Sequence, residues 1–134
     1  HQGMTSMNDQ TLLFRQVHPN FIIAGEVSSQ AFFPSQKDEG RLSVYDGDQI
    51  SAKESHQHYT HKLRLESIGV WATSGSEVTS IGLTYSPDPL DGNKAHAIIE
   101  FGIKKEKEYR KLAKKLKKFA IDRGSQYTPA GPLI

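Results

Sequence analysis

Ala95-His96-Ala97-Ile98-Ile99-Glu100-Phe101-Gly102 is followed, after Ile103, by Lys104-Lys105-Glu106-Lys107-Glu108-Tyr109-Arg110-Lys111-Leu112-Ala113-Lys114-Lys115-Leu116-Lys117-Lys118-Phe119-Ala120. The first segment reads as a buried strand and the second as an amphipathic helix. Tyr109, Leu112, Ala113, Leu116, Phe119 and Ala120 recur at steps of three and four, which puts them on one stripe, and lysines fill the opposite side. Glu106 and Glu108 near the start, with Lys117, Lys118 and Arg123 near the end, complement the helix macrodipole. Gly124 is the expected stop. A helix with a single apolar stripe needs a sheet to lie on, and the rest of the chain is read as supplying it.

The chain has 134 residues, 36% of them apolar and 24% charged, which suits one domain with a modest core. No apolar run reaches the roughly 18 residues of a membrane span, and nothing at the start has a signal-peptide pattern. Without cysteine there are neither disulfides nor thiolate metal sites. Cytoplasmic residence is the expectation. Residues 1–10 read as a leftover of expression ahead of Met4 or Met7 plus a loosely attached start, 11–124 as the domain, and 125–134 as a tail. The net charge of +2 hides an asymmetry: residues 1–103 carry 7 Lys+Arg against 12 Asp+Glu, and 104–134 carry 10 against 3. So basic a helix repels itself, through Lys107 with Lys111 and Lys114 with Lys118, unless core packing or an anionic partner offsets the repulsion.

Upstream, residues 11–17 form a strand candidate closed by His18-Pro19, because the residue before proline is held extended. Phe21-Ile22-Ile23-Ala24 reads as a helical turn ended by Gly25, and 28–33 as a second extended piece ending at Pro34. Residues 41–45 alternate as a strand, with Leu42 and Val44 on one face and Arg41, Ser43 and Tyr45 on the other. Asp46-Gly47-Asp48 turns the chain. Ser51-Ala52-Lys53-Glu54 has the reciprocal capping pattern and predicts a short helix to about residue 62. Residues 68–72 and 79–85 are further strands, and Asp91-Gly92-Asn93 turns into the strand at 96–101. The expected class is α+β: a mainly antiparallel sheet, one short inserted helix, and the long C-terminal helix packed on it.

Several clusters could carry chemistry. Arg15, His18, Ser28, Ser29, Lys37, Ser43, Tyr45 and Asp46 fall at strand ends or on faces away from the apolar alternation, and a cleft there would suit an anionic ligand, with Arg15 offering a planar two-pronged donor. Their ordinary alternative is a solvated sheet face on which Arg15 and Tyr45 are cross-strand partners. In His56-Gln57-His58-Tyr59-Thr60-His61, only His58 and His61 share a helical face, so a metal site would need a further ligand and none is assigned. His96, within an apolar strand, reads as a structural histidine unless a partner converges on it. Lys104, Lys107, Lys111, Lys114, Lys115 and Lys118 could follow a phosphate backbone or an acidic protein. No aromatics are interleaved there, so base reading is not expected. A phosphate-binding glycine loop and a nucleophile elbow are both absent from the sequence.

Leu13-Phe14-Arg15-Gln16-Val17-His18-Pro19, Ser28-Ser29-Gln30-Ala31-Phe32 and Leu42-Ser43-Val44-Tyr45-Asp46-Gly47-Asp48, with the Ala95-His96-Ala97 strand, resemble a group of small bacterial proteins without a known activity. More distantly, an arginine on the first strand, a tyrosine on a later one and a glutamate opening the next helix are similar to RES-type toxins, which have an ADP-ribosyltransferase-like fold and consume NAD. That resemblance implies Arg15, Tyr45 and Glu54 as catalytic candidates. It departs where those toxins have a glycine-rich segment, here Ser28-Ser29-Gln30-Ala31-Phe32-Phe33, and the capping pattern explains Glu54 without catalysis. The function expected is a bacterial or phage binding or accessory protein that contacts an anionic partner, acidic protein or nucleic acid, through its basic helix. The alternative is a small ADP-ribosyltransferase-like enzyme acting on NAD or a related nucleotide; no cofactor is otherwise assigned.

Overall fold

The computed structural model describes residues 7–34 and 39–129. In chain order the strands are β1 (Leu12–Val17), β2 (Ile22–Ile23), β3 (Glu26–Val27), β4 (Arg41–Asp46), β5 (Gly69–Ser74), β6 (Thr84–Pro87) and β7 (His96–Glu100), and the helices α1 (Ala52–Gln57), α2 (Gly75–Ser80) and α3 (Glu106–Arg123). The main sheet has the order β5-β1-β4-β7-β6, every pairing antiparallel, and β2 with β3 makes a separate hairpin. The protein is therefore α+β, with α3 packed on one sheet.

The two-residue period of the strands decides which side chains meet α3. Leu13 and Val17 of β1, Leu42 and Val44 of β4, Trp71 of β5, and Ala97 and Ile99 of β7 form one core with Tyr109, Ala113, Leu116 and Ala120. Burying a side chain the size of Leu116 contributes about 1.5–3 kcal/mol, so the stripe rather than helix propensity holds α3 in place. Gly124, at φ 93°, ends the helix in the left-handed backbone region that glycine tolerates.

The opposite face is covered as well. Phe14, Tyr45, Val70, Ala72 and Ala95 cluster there beneath Ile50, Ala52 and Tyr59. α1 supplies the cover. Its capping box forms as the sequence predicts, with the Glu54 amide donating to Ser51 Oγ and the Ser51 amide to Glu54 Oε1, both at 3.1 Å. The helix then widens into a π-helical turn over His58–Lys62. Tyr45, for which a ligand cleft and a solvated sheet face were the two expectations, is thus buried.

Other expectations are corrected. Residues 28–33 are not extended: Ser29–Phe32 is a 3₁₀ turn, which lets the consecutive Ala31 and Phe32 both be buried where a strand would point one outward. The helical turn expected at 21–24 lies earlier, at Pro19–Phe21, capped by His18. Ile22 and Ile23 instead pair with Val27 and Glu26 around Ala24 and Gly25, both at positive φ. The strand expected at 79–85 is split between α2 and β6. A second capping box, Ser74 with Glu77, starts α2 directly from the end of β5. The expected tail begins ordered: Gln126 and Tyr127 exchange backbone hydrogen bonds with Val70 at 2.7 and 2.8 Å and so cover the free edge of β5.

Candidate ligand cleft

The two-sided sheet leaves a cleft of about 500 Å³ between its α1 side, the π-helical turn and the turn at 90–93. The β1–β4 ladder stops after the pairs Leu13–Asp46 and Phe14–Tyr45, so the strands splay beyond them and open the floor. Ser43, Tyr45 and His96 line that floor, and His58, Tyr59 and the 90–93 turn line the walls. Leu63, Leu65 and Leu90, which are 45, 48 and 49% exposed, line the cleft beside Lys62 and Asp91. Concave, apolar-rimmed space with a few converging polar groups is how small-ligand sites are built.

One wall is held by a short relay. His58 Nε2 faces the Gly92 carbonyl at 2.9 Å, so that nitrogen carries the proton and donates. Nδ1 is then an acceptor, and the Tyr45 hydroxyl donates to it at 2.8 Å. Burial first, and the neighbouring Tyr59 second, push the Tyr45 phenol far above its ordinary value. It stays neutral and serves as a hydrogen-bond donor.

On the floor, His96 lies diagonally across the β4–β7 ladder from Ser43. His96 Nδ1 is 2.8 Å from the Asp88 carbonyl and 3.2 Å from Asp88 Oδ2. The carbonyl accepts from Nδ1, with the carboxylate beside it as a charged neighbour, so Nδ1 carries the proton and Nε2 is left free to accept. The Ser43 hydroxyl meets it at 3.2 Å. Ser43, His96 and Asp88 thus stand together, with Ser43 exposed and the histidine oriented by the Asp88 backbone carbonyl at the β6–β7 hairpin, the carboxylate alongside. Sequence reasoning marked Ser43 and His96 separately and missed Asp88; the partner converges only through the hairpin, which pairs Asp88 N with His96 O.

The expected cleft residues divide. Arg15 pairs across the sheet with Trp71, not Tyr45, and its Nε and Nη1 donate to the carbonyls of Ala31 (2.7 Å) and Ser43 (2.9 Å). Its fork thus bridges the 3₁₀ turn to β4 across the splayed ladder. Arg15 and Ser43 also line a second cleft, of about 700 Å³, on the α3 side with Ser29 and Arg110. His18 lies in neither cleft: Nδ1 accepts from the Asn20 amide and Nε2 sits 3.2 Å from Glu66. Ser28 Oγ is buried without a hydrogen-bond partner among the described residues. Lys37 lies outside the described residues. Asp46 is buried and holds its own turn, accepting from the Asp48 amide and Gln49 Nε2, each at 2.9 Å. Glu54 is exposed in the capping box, away from both clefts, and the Ser51 hydrogen bonds lower its pKa.

Nor do the histidines gather. His56 is buried, its Nε2 donating to the Ser67 carbonyl at 2.9 Å, and His61 is exposed. Among the described residues no group of three or more His, Asp and Glu side chains could hold a metal ion. Ahead of α3, Lys104 donates to the Phe101 carbonyl, and on the helix Lys118 pairs with Asp122 at 3.3 Å. Lys105, Lys107, Lys111, Lys114 and Lys115 are exposed and enter none of the described ion pairs. No family model, curated protein or solved structure matches the chain.

Proposed function

We propose that the protein binds a small, largely apolar molecule in the cleft between the sheet and the π-helical turn, orienting it with Ser43, Tyr45, His58 and His96. The observation that carries this reading is that Leu63, Leu65 and Leu90 are left roughly half exposed along a concavity that Ser43, Tyr45, His58 and His96 also line. Apolar side chains on a surface are ordinary singly, but grouped around a cavity they mark a binding site. A thermal-shift and calorimetric screen with nucleotides, NAD, fatty acids and acyl amides tests it. Leu65→Asp should weaken a hit at least about tenfold, about 1.4 kcal/mol, and leave the melting temperature of the free protein nearly unchanged. A hit whose affinity is indifferent to Leu65→Asp would move the site elsewhere. NAD or a nucleotide bound with Arg15 and Tyr45 would favour the transferase-like alternative.

A second reading is favoured by the lysines of α3. Lys107, Lys111, Lys114 and Lys118 lie within roughly 60° of one another at about 100° per residue, on the side away from the buried stripe. Such a face is suited to a polyanion, an acidic protein or a nucleic-acid backbone, which it would contact without reading bases. The two readings concern different surfaces and exclude nothing of each other.

A further inference from the structure

We propose that Ser43, His96 and Asp88 hydrolyse carboxylic esters with an apolar acyl group, Ser43 as nucleophile, His96 as general base and Asp88 as the residue that positions His96. The proposal rests on the ligand-binding reading of the cleft and names its substrate class. Three observations carry it. Ser43 Oγ and His96 Nε2 are 3.2 Å apart with the nitrogen in its accepting tautomer. Asp88 Oδ2, 3.2 Å from Nδ1, stabilises the imidazolium that would form. The same floor opens under the leucine rim, where an acyl chain would lie.

The chemistry balances with water as the only co-reactant. Ser43 Oγ attacks the carbonyl carbon as its proton passes to His96 Nε2. The tetrahedral oxyanion then collapses, the bond to the alcohol oxygen breaks, and His96 returns the proton to that oxygen. A water molecule, deprotonated by His96, attacks the acyl-Ser43 carbonyl. The Ser43–acyl bond breaks, Ser43 Oγ regains its proton from His96, and the carboxylic acid leaves. Only Ser43 and His96 touch the reacting atoms.

The test uses 4-nitrophenyl hexanoate as substrate and N-(4-nitrophenyl)hexanamide as a non-reacting ligand, with mass spectrometry to locate any acyl group. Surface lysines also react with activated esters, so location matters as much as nitrophenol release. Wild type should turn over and carry a transient acyl group on Ser43. Ser43→Ala and His96→Ala should each lower kcat/KM about 100-fold or more while still binding the amide. Asp88→Asn should lower kcat more than it raises KM and shift the pH profile, which a merely structural role would not do. Acylation confined to lysines, or turnover unchanged in Ser43→Ala, overturns hydrolysis. If wild type binds the amide without turnover, hydrolysis falls and the binding reading stands; if wild type neither binds the amide nor turns over the ester, both fall.

Discussion

Tyr45 shows how a single residue couples the fold to the cleft. Its ring is buried beneath α1 and its hydroxyl donates to His58, which in turn holds the 90–93 turn through Gly92. Because the folded state raises the Tyr45 pKa above the unfolded value of about 10, the native protein keeps this proton where the unfolded chain gives it up. Its contribution to stability is therefore complete below about pH 10 and is lost as the pH rises further. Tyr45→Phe should flatten that alkaline loss. At pH 7 it should cost about 1–3 kcal/mol, since His58 Nδ1 loses its donor. Denaturant titrations from pH 7 to 11 read both effects. Tyr85, whose pKa is raised by burial and by Asp9, leaves a residual slope, so the difference between the two proteins is the measure, and parallel curves would refute the assignment. Ser43 and Tyr45 were legible as polar positions on an alternating strand. Arg15 was legible as a fork, but whether a fork grips a ligand or two carbonyls depends on which backbone lies opposite, and here that is Ala31 and Ser43.

Among the elements, α3 and α1 were the most readable, for different reasons. α3 announces itself by a 3.6-residue period sustained over five turns, and α1 by a local cap that needs no tertiary partner. Leu116 is fully buried at the centre of the α3 stripe. Leu116→Ala should cost about 2–5 kcal/mol in a denaturant melt, whereas Lys114→Ala, on the exposed side, should change stability by less than about 0.5 kcal/mol. A small loss at Leu116 would mean that α3 rests on the sheet without anchoring it. α2 was misread because Val78, Ile81 and Leu83 sit among β-branched residues and suggest a strand. The Ser74–Glu77 capping box was the overlooked signal, and the Arg123 guanidinium fixes it from α3, 2.7 Å from Glu77 Oε1.

Across the molecule, the lysine-rich face lies along α3, whereas the cleft, which Arg15 and Lys62 also line, opens on the other face of the sheet. Reversing Lys107, Lys111 and Lys114 to glutamate should therefore leave any cleft ligand bound as before. If α3 contacts a nucleic acid, the same variant should bind less tightly at low salt, similarly across sequences, and with a shallower dependence on salt. Retention on heparin and on RNA, measured across a salt gradient, reads this. An unchanged elution position would reduce the lysine face to a solubilising surface.

The sequence by itself determined the α+β class, the β1, β4, β5 and β7 strands, the basic amphipathic helix and its stop, because periodicity, caps and glycine act within a few residues of one another. The tertiary structure decided the rest. The strand order placed β4 between β1 and β7, which covered Tyr45 and brought His96 to Ser43 from 53 residues away. The splay of β1 from β4 opened the floor, and the packing of α1 and its π-helical turn on the second face raised the walls. Such convergence depends on which residues pair at long range, and neither the period of a strand nor the charge of a helix encodes that locally.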